Sequence, residues 1–263
     1  MKRIKLTIAY DGSNYVGWQF QTNGISIEQI LNEHLSGLLG ENIRVTGCSR
    51  TDAGVHARGN VAAFETDTRI APEKISYALN QSLPEDIRIV KSEEVSPDFH
   101  PRYANCIKTY EYAILNCRYN VPTLRLYTGY VYYALDVEKM RQGAECLVGE
   151  HDFVAFSSSG GQQRSTVRTI YSIDITRELL NPEADPEEDA APGFRPSVIR
   201  IRIKGNGFLY NMVRIIVGTL EKVGMGIYPP ERVKEILDSR DRRLSAPKAS
   251  ASGLTLVSID YLD

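Results

Sequence analysis

The sequence predicts an α+β protein in which two halves share a central, mainly antiparallel sheet, with a cleft between the halves. Two observations carry this prediction. Strand-like and helix-like segments alternate along the chain, and roughly the first hundred residues have the order β-α-β-β-α-β, which is the ferredoxin-like pattern. The second half repeats a similar rhythm. We place the two halves at residues 1–98 and 99–263.

The N-terminal half begins with an alternating strand, residues 3–10, whose apolar face presents Ile4, Leu6, Ile8 and Tyr10. Ser26 and Gln29 have capping-box spacing and precede an apolar helical stripe that ends at Gly40. The remaining predicted elements are strands at 43–48 and 59–65, a helix that starts at Pro72, and a strand at 87–95.

The C-terminal half is predicted from the same two periodicities. Strands are expected at residues 105–115, 129–135, 167–177, 197–204 and 254–260. Helices are expected at 137–148, at 208–223 and from Pro229 onward.

The composition is that of an ordinary globular protein. Of 263 residues, 42% are hydrophobic and 24% charged, and a chain of this length can bury a substantial core. No apolar run approaches the roughly 20 residues that span a bilayer. Asp11 and Gly12 interrupt the N-terminal region before a signal-peptide core could form. We therefore predict a cytoplasmic protein that has no membrane partner.

Cysteine and histidine are scattered along the chain. The four cysteines contain no Cys-x-x-Cys pair, which argues against a disulfide framework and against a zinc ribbon. The four histidines are equally dispersed. No Walker A string occurs, and Gly205-Asn206-Gly207 lacks the third glycine of a dinucleotide fingerprint. The sequence therefore predicts no metal site and no cofactor.

Charge is unevenly distributed. The formal net charge is −2, but six carboxylates and no basic residue lie between Glu178 and Asp189. We interpret residues 179–196 as a solvated acidic insertion that lies away from the cleft. Without those carboxylates the chain carries 31 basic and 27 acidic residues, so its body can present a positive groove to a nucleic acid. Charge permits RNA binding without requiring it.

The segment from Gly47 to Ala57 reads Gly-Cys-Ser-Arg-Thr-Asp-Ala-Gly-Val-His-Ala. A predicted strand ends there, Asp52 lies at its tip, and Ala-Gly turns the chain. Rigid turns at strand ends hold side chains in a fixed direction, which suits a nucleophile or a base. An Asp-x-Gly turn can also be purely structural, with Gly54 supplying a positive φ. Spacing alone favours the structural interpretation.

The complete string resembles the signature of the tRNA pseudouridine synthase A (TruA) family. Four further motifs of that family are matched in order along the chain. They are Tyr10-Asp11-Gly12 with Gly17-Trp18-Gln19, then Lys108-Thr109-Tyr110-Glu111-Tyr112, then Phe208-Leu209-Tyr210-Asn211-Met212-Val213-Arg214 continuing to Leu220, and Ala246-Pro247 with Gly253-Leu254-Thr255-Leu256. Five ordered motifs that cover both halves do not match by chance.

The resemblance implies the pseudouridine synthase fold and a role for each matching residue. Asp52 corresponds to the family's catalytic aspartate, Arg214 to the arginine that pairs with it inside the cleft, and Tyr110 to the active-site tyrosine. A guanidinium beside a buried carboxylate keeps that carboxylate ionised. Leu254 corresponds to the apolar residue that lies against the target base.

Further residues are predicted to bind substrate. Lys108 and Tyr110 share one face of a predicted strand, where an aromatic ring can stack on an extruded base. Arg50 and Arg58 are predicted to contact a phosphate or the flipped nucleotide. Trp18, the only tryptophan, lies in a predicted loop and is expected to contact RNA or another subunit. Taken singly, each can also be an ordinary core or surface residue.

The resemblance implies isomerisation of uridine to pseudouridine at positions 38 to 40 of the tRNA anticodon arm, on a flipped nucleotide and by a homodimer. Asp52 could attack C1′ or remove the C2′ proton, and the sequence does not separate these routes. Two alternatives stay open: a non-catalytic RNA-binding protein or chaperone, and a pseudouridine synthase that acts on other RNA. A buried Asp52–Arg214 pair beside Tyr110 would argue against a pure binding protein.

Overall fold

The computed structural model describes residues 1–160, 165–180 and 195–262. Most of the predicted insertion at 179–196 therefore lies outside the described residues. The fold is α+β with mainly antiparallel strand pairing, and the chain divides into two compact units. Unit 1 comprises Met1–Ile107 and Thr255–Asp263, and unit 2 comprises Lys108–Leu254. The division at residues 98 and 99 and the shared cleft stay predictions.

The regular elements follow one another closely along the chain. They are β1 (Lys2–Tyr10), α1 (Ile27–Leu39), β2 (Thr46–Gly47), β3 (His56–Thr66), α2 (Ile75–Asn80), β4 (Ile87–Val95), β5 (Cys106–Asn116), β6 (Gly129–Val131), α3 (Val137–Glu145), β7 (Gly149–Asp152), β8 (Val167–Leu179), β9 (Ser197–Gly205), α4 (Met212–Gly224), α5 (Arg232–Ser239) and β10 (Leu254–Tyr261).

Unit 1 is built on the strand order β4-β1-β3-β10, with β2 also paired to β3. The first strands are antiparallel, whereas β10 joins β3 in parallel through Thr255–His56 and Leu256–Ala57. The predicted apolar face of β1 is confirmed, because its alternate residues from Ile4 to Tyr10 are buried. The predicted start and end of α1 are confirmed as well. Ser26 Oγ accepts a hydrogen bond from Gln29 N, and Gly40 ends the helix at a φ of +67°.

Unit 2 has the strand order β5-β9-β8-β7, with β6 parallel to β5. β5 and β9 pair without interruption from Lys108–Gly205 to Asn116–Ser197. Because that register is regular, Lys108 and Tyr110 lie on the same face of β5, as predicted. α3 packs on α4, α5 and β8. Nearly all of α4 is buried, so this helix forms the centre of the unit 2 core.

Strand β2 is shorter than the predicted strand at 43–48. Side chains of α1 accept hydrogen bonds from the backbone N–H groups of this segment: Ser36 Oγ from Ile43 N at 3.0 Å, and Asn32 Oδ1 from Val45 N at 2.8 Å. Residues 43–45 therefore lie against α1, and the ladder with β3 is limited to residues 46–47, followed by one hydrogen bond from Cys48 N to Val61 O at 2.7 Å.

Strand β6 ends at Val131 rather than at the predicted residue 135. The buried side-chain amide of Asn116 donates to the carbonyls of Val131 and Tyr133, at 3.1 and 2.7 Å. Asn116 Oδ1 also accepts from Leu135 N at 3.3 Å. A side chain thus replaces the backbone ladder that a longer strand would need.

Helix α4 begins at Met212 rather than at the predicted Phe208. Asn211 has a φ of +61°, in the left-handed region, which a right-handed helix cannot include. The other differences are at element ends, together with the short polar strand β7, which was not predicted. None of the described helices is long and apolar enough to cross a membrane.

Candidate active site

Asp52 lies half-buried in the tight turn that leads into β3. Val55 N donates to Asp52 O at 3.1 Å, which closes the turn. Gly54 has a φ of +76°, so the turn uses the positive φ that its sequence suggested. The Asp52 side chain therefore extends from a short turn between β2 and β3, which pair with each other.

Loop 11–18, the first part of the connection between β1 and α1, lies directly against this turn. Gly17 forms an isolated antiparallel bridge with Asp52. Trp18 N donates to Thr51 O at 3.0 Å, and Gly54 N donates to Tyr15 O at 3.3 Å. A Cβ on Gly17 would lie 2.7 Å from Thr51 O, so the approach requires glycine there. Two motifs that are distant in sequence thus form one structural unit.

Buried polar side chains form a hydrogen-bond network with the residues that precede Asp52. Tyr10 Oη and Thr51 Oγ1 are 2.7 Å apart. Asn60 Nδ2 donates to Tyr10 Oη at 3.2 Å and to Ser49 O at 3.0 Å. All of these side chains are buried, and breaking such a network leaves unsatisfied polar groups. Sequence reasoning missed this network, although Tyr10, Ser49 and Thr51 all belong to the quoted motifs.

Trp18 belongs to the core of unit 1. Its side chain is 1% exposed, and its ring centroid lies 6.1 Å from that of Tyr10. A Cβ on Gly47 would lie 2.3 Å from Trp18 Nε1, so the missing side chain makes room for the indole. This burial contradicts the expectation that Trp18 contacts RNA or another subunit directly.

The two predicted arginines of unit 1 are exposed. Arg50 lies two residues before Asp52, and Arg58 lies on β3 two residues after the buried His56. Exposed guanidinium groups near a strand end can contact a polyanion. The substrate contacts of Arg50 and Arg58 stay predictions.

Arg214 is a buried residue of α4, with 8% exposure. Its Nε donates to Ala249 O at 2.8 Å, and its Nη1 donates to Asn211 Oδ1 at 3.1 Å. Ala249 N in turn donates to Arg214 O at 2.9 Å. These bonds hold the guanidinium in one direction, and Arg214 is therefore not a solvated surface arginine.

Tyr110 and Lys108 occupy β5, and Leu254 begins β10. Tyr110 is 7% exposed and packs edge-on against Phe208, with ring centroids 5.2 Å apart. Lys108 is half-buried, and Leu254 is buried. In unit 2 the structure therefore places Tyr110, Arg214 and Leu254 as mostly buried residues rather than as surface residues.

Other charged groups of unit 2 have structural partners. The buried Glu111 accepts from Arg200 Nη1 at 3.2 Å and from Arg202 Nη2 at 2.7 Å.

Burial raises the pKa of the Glu221 carboxyl on α4 to about 7, against a smaller opposing effect of Lys222. Among the described residues, no group of three histidine, cysteine or acidic side chains is arranged to hold a metal ion.

Comparisons with known proteins give the class of this site. A family model described as tRNA pseudouridine synthase matches residues 6–104 and 144–262. A tRNA pseudouridine synthase A of Ruminiclostridium cellulolyticum is 46% identical over 261 residues, 99% of this chain and 100% of the relative. Another from Thermoanaerobacter sp. (strain X514) is 42% identical with the same coverage. A tRNA pseudouridine synthase A 2 of Clostridium perfringens is 44% identical over 262 residues, again 99% and 100% of the two chains.

These matches define an isomerase of the pseudouridine synthase class. The chain belongs to the tRNA pseudouridine synthase A family.

Proposed function

We propose that this chain converts uridine to pseudouridine in the anticodon stem-loop of tRNA, at positions 38 to 40, with Asp52 as its catalytic carboxylate. The observation that carries the proposal is the half-buried Asp52 in a turn fastened by loop 11–18 and by the buried Tyr10–Thr51 hydrogen bond. Family membership supplies the reaction class.

The reaction breaks the C1′–N1 bond of uridine, turns the uracil and forms a C1′–C5 bond. The hydrogen of C5 leaves as a proton and N1 gains a proton, so the conversion balances without an oxidant or reductant. Asp52 either attacks C1′ as a nucleophile or removes the C2′ proton to give a glycal. Both routes need the ionised carboxylate.

Arg214 is proposed to pair with Asp52 and keep it ionised. The two hydrogen bonds to Ala249 and Asn211 support this role, because they fix the direction of a buried guanidinium. Tyr110 is proposed to stack on the extruded uracil and to serve in proton transfer. Leu254 would lie against the base.

Arg50, Arg58 and Lys108 are proposed to contact phosphates or the flipped nucleotide. A stacked uridine must leave its loop to reach Asp52, so the proposed mechanism includes base flipping. Following the family resemblance, we propose a cytoplasmic homodimer in which one subunit helps to hold the RNA for the other. The buried Trp18 is left out of the substrate-binding set.

Pseudouridine mapping on undermodified tRNA tests the proposal. We expect the wild type to form pseudouridine at positions 38 to 40, and Asp52→Ala to form none while still binding tRNA. Asp98→Ala, which removes an exposed carboxylate of unit 1, is the matched control and should behave like the wild type.

Because the chain belongs to an isomerase family, the non-catalytic RNA-binding protein is no longer an alternative, and the one that remains predicts a different map. A synthase for other RNA would leave positions 38 to 40 unmodified in tRNA but form pseudouridine in a total RNA sample. Product from Asp52→Ala would overturn the assignment of the catalytic carboxylate.

A further inference from the structure

The roles proposed above leave the contact between the buried His56 and the half-buried Asp11, next to the Asp52 turn, without a function. His56 Nδ1 lies 3.1 Å from Asp11 Oδ1, and the histidine side chain is 7% exposed. Gly12 N also lies 3.1 Å from the same Nδ1 and is oriented to donate to it. His56 is the first residue of β3 and follows the turn directly, while Asp11 and Gly12 begin loop 11–18.

A single ring nitrogen cannot serve both neighbours at once. When Nδ1 carries a proton it donates to the Asp11 carboxylate, and when it carries none it accepts from Gly12 N. In either state the imidazole is tied to loop 11–18. The histidine therefore joins the loop to the strand that follows Asp52, whichever tautomer is present.

Asp11 is itself held in place by its own neighbours. Its Oδ1 accepts from Ser13 N at 2.9 Å and from Ser13 Oγ at 2.6 Å. Its backbone N–H donates to Asp86 O at 2.9 Å. Further along the loop, Tyr15 Oη donates to Asp86 Oδ1 at 2.5 Å. The loop is thus anchored on the segment before β4, and it can act as a fixed support.

The contact between the loop and the turn leaves no free space. A Cβ on Gly12 would lie 2.1 Å from Val55 O, so the backbone of the loop touches the backbone of the turn. A shift of His56 or Asp11 would therefore move residues 52–55 as well, because side-chain and backbone contacts act on the same short segment.

We infer that His56, together with Asp11, is a positioning residue that fixes the Asp52 turn and thereby the direction of its carboxylate. This inference rests on the proposed function. His56 acts through the turn and does not touch the nucleotide. Removing the pair should slow the chemical step without weakening RNA binding, because neither His56 nor Asp11 is among the residues proposed to contact RNA.

Single-turnover product formation and tRNA affinity, measured on His56→Leu and His56→Asn at a temperature where both are folded, test the inference. Because displacement of a catalytic group by about 1 Å can cost about 100-fold in rate, we expect a loss of about 100-fold for His56→Leu with an unchanged Kd. The asparagine amide can still bond to Gly12 N or Asp11, so His56→Asn should recover most of the rate.

His34 provides matched controls. His34 lies on α1, and its Nδ1 is 3.1 Å from Ser82 Oγ, so His34→Leu and His34→Asn make the same two changes at a hydrogen-bonded histidine far along the chain from the turn. Both should keep the wild-type rate. Combining His56→Leu with Asp11→Ala should cost little more than either change alone, because the two side chains act as one unit.

The inference is overturned if His56→Leu keeps the wild-type rate, if its rate falls and its Kd rises together, or if His56→Asn is no better than His56→Leu. Should His56→Leu not fold, Asp11→Ala decides by the same readouts. Asp52→Ala in the same assay separates the positioning role of His56 from the proposed function. An inactive Asp52→Ala with a fully active His56→Leu refutes the positioning role alone, whereas product from Asp52→Ala refutes the proposed function and the positioning role together.

Discussion

The surroundings of Asp52 are assembled from residues that are far apart in the sequence. Tyr10 ends β1, Asn60 lies within β3, and both reach the turn because β1 and β3 are neighbouring strands. The quoted motifs led to Asp52 itself. They could not reveal the buried hydrogen bonds, because these depend on strand order and register, which local sequence does not determine.

For Trp18 the prediction from sequence was wrong, because it expected an accessible side chain where the structure has a buried one. A tryptophan in a Gly-rich loop was expected to be accessible, but the absent side chain of Gly47 leaves room for the indole in the core. The space that a glycine leaves is visible only when the two segments are seen together. Loop residues cannot be assigned to solvent from sequence alone.

Tyr110→Phe tests the role of a single hydroxyl group. We expect this variant to fold and to lose turnover, because the ring that packs on Phe208 is kept while the proposed proton-transfer group is removed. Single-turnover kinetics and thermal unfolding are the measurements. Tyr77→Phe, on a side chain that is 74% exposed, is the control, and equal turnover in the two variants would show that the Tyr110 hydroxyl is dispensable.

At the scale of elements, the hydrophobic periodicities located most strands and helices, and the exceptions have identifiable causes. Ser36 and Asn32 of α1 accept hydrogen bonds from the backbone of residues 43–45. At the end of β6, the side-chain amide of Asn116 donates to the carbonyl of Val131 in place of a neighbouring strand. In each case a polar side chain takes the backbone partner that periodicity would assign to a strand. Such competition is not encoded in apolar spacing.

Helix α4 carries both Arg214 and Glu221. The pKa of Glu221 predicts how the free energy of unfolding depends on pH. The pKa of Glu221 is about 7 in the folded protein against an ordinary value of 4.5. Between these values the folded state keeps a proton that the unfolded state has released. The free energy of unfolding should therefore fall as pH rises from about 4.5 to 7, by roughly 2–3 kcal/mol from this group.

Glu221→Gln removes this titration and should flatten that part of the stability profile. Chemical denaturation across the pH range is the measurement. Glu145→Gln, at an exposed glutamate of α3, should leave the wild-type slope unchanged. Parallel profiles for the wild type and Glu221→Gln would contradict the assigned pKa.

At the scale of the whole molecule, the family model and the full-length relatives cover different parts of the chain. The family model leaves residues 105–143 unmatched, and this stretch includes β5 with Tyr110. The full-length relatives span 99% of the chain, which includes that stretch. The role proposed for Tyr110 therefore rests on the full-length relatives and not on the family model, whereas Asp52 and Arg214 lie within the matched segments.

The net charge of −2 was a weak guide to the partner. Charge averaged over a chain does not report the charge of one surface, and the six carboxylates between residues 178 and 189 obscure a body with more bases than acids. An RNA substrate was predicted from the ordered motifs instead.

The most direct measurement is the release of tritium from tRNA labelled at C5 of its uridines, because joining C5 to C1′ expels the hydrogen of C5. With enzyme in excess, the wild type should release tritium to solvent, and Asp52→Asn, which keeps the size of the side chain but removes its charge, should release none while binding the same tRNA. Release by Asp52→Asn at the wild-type rate would contradict the claim that an ionised carboxylate at this turn performs the chemistry.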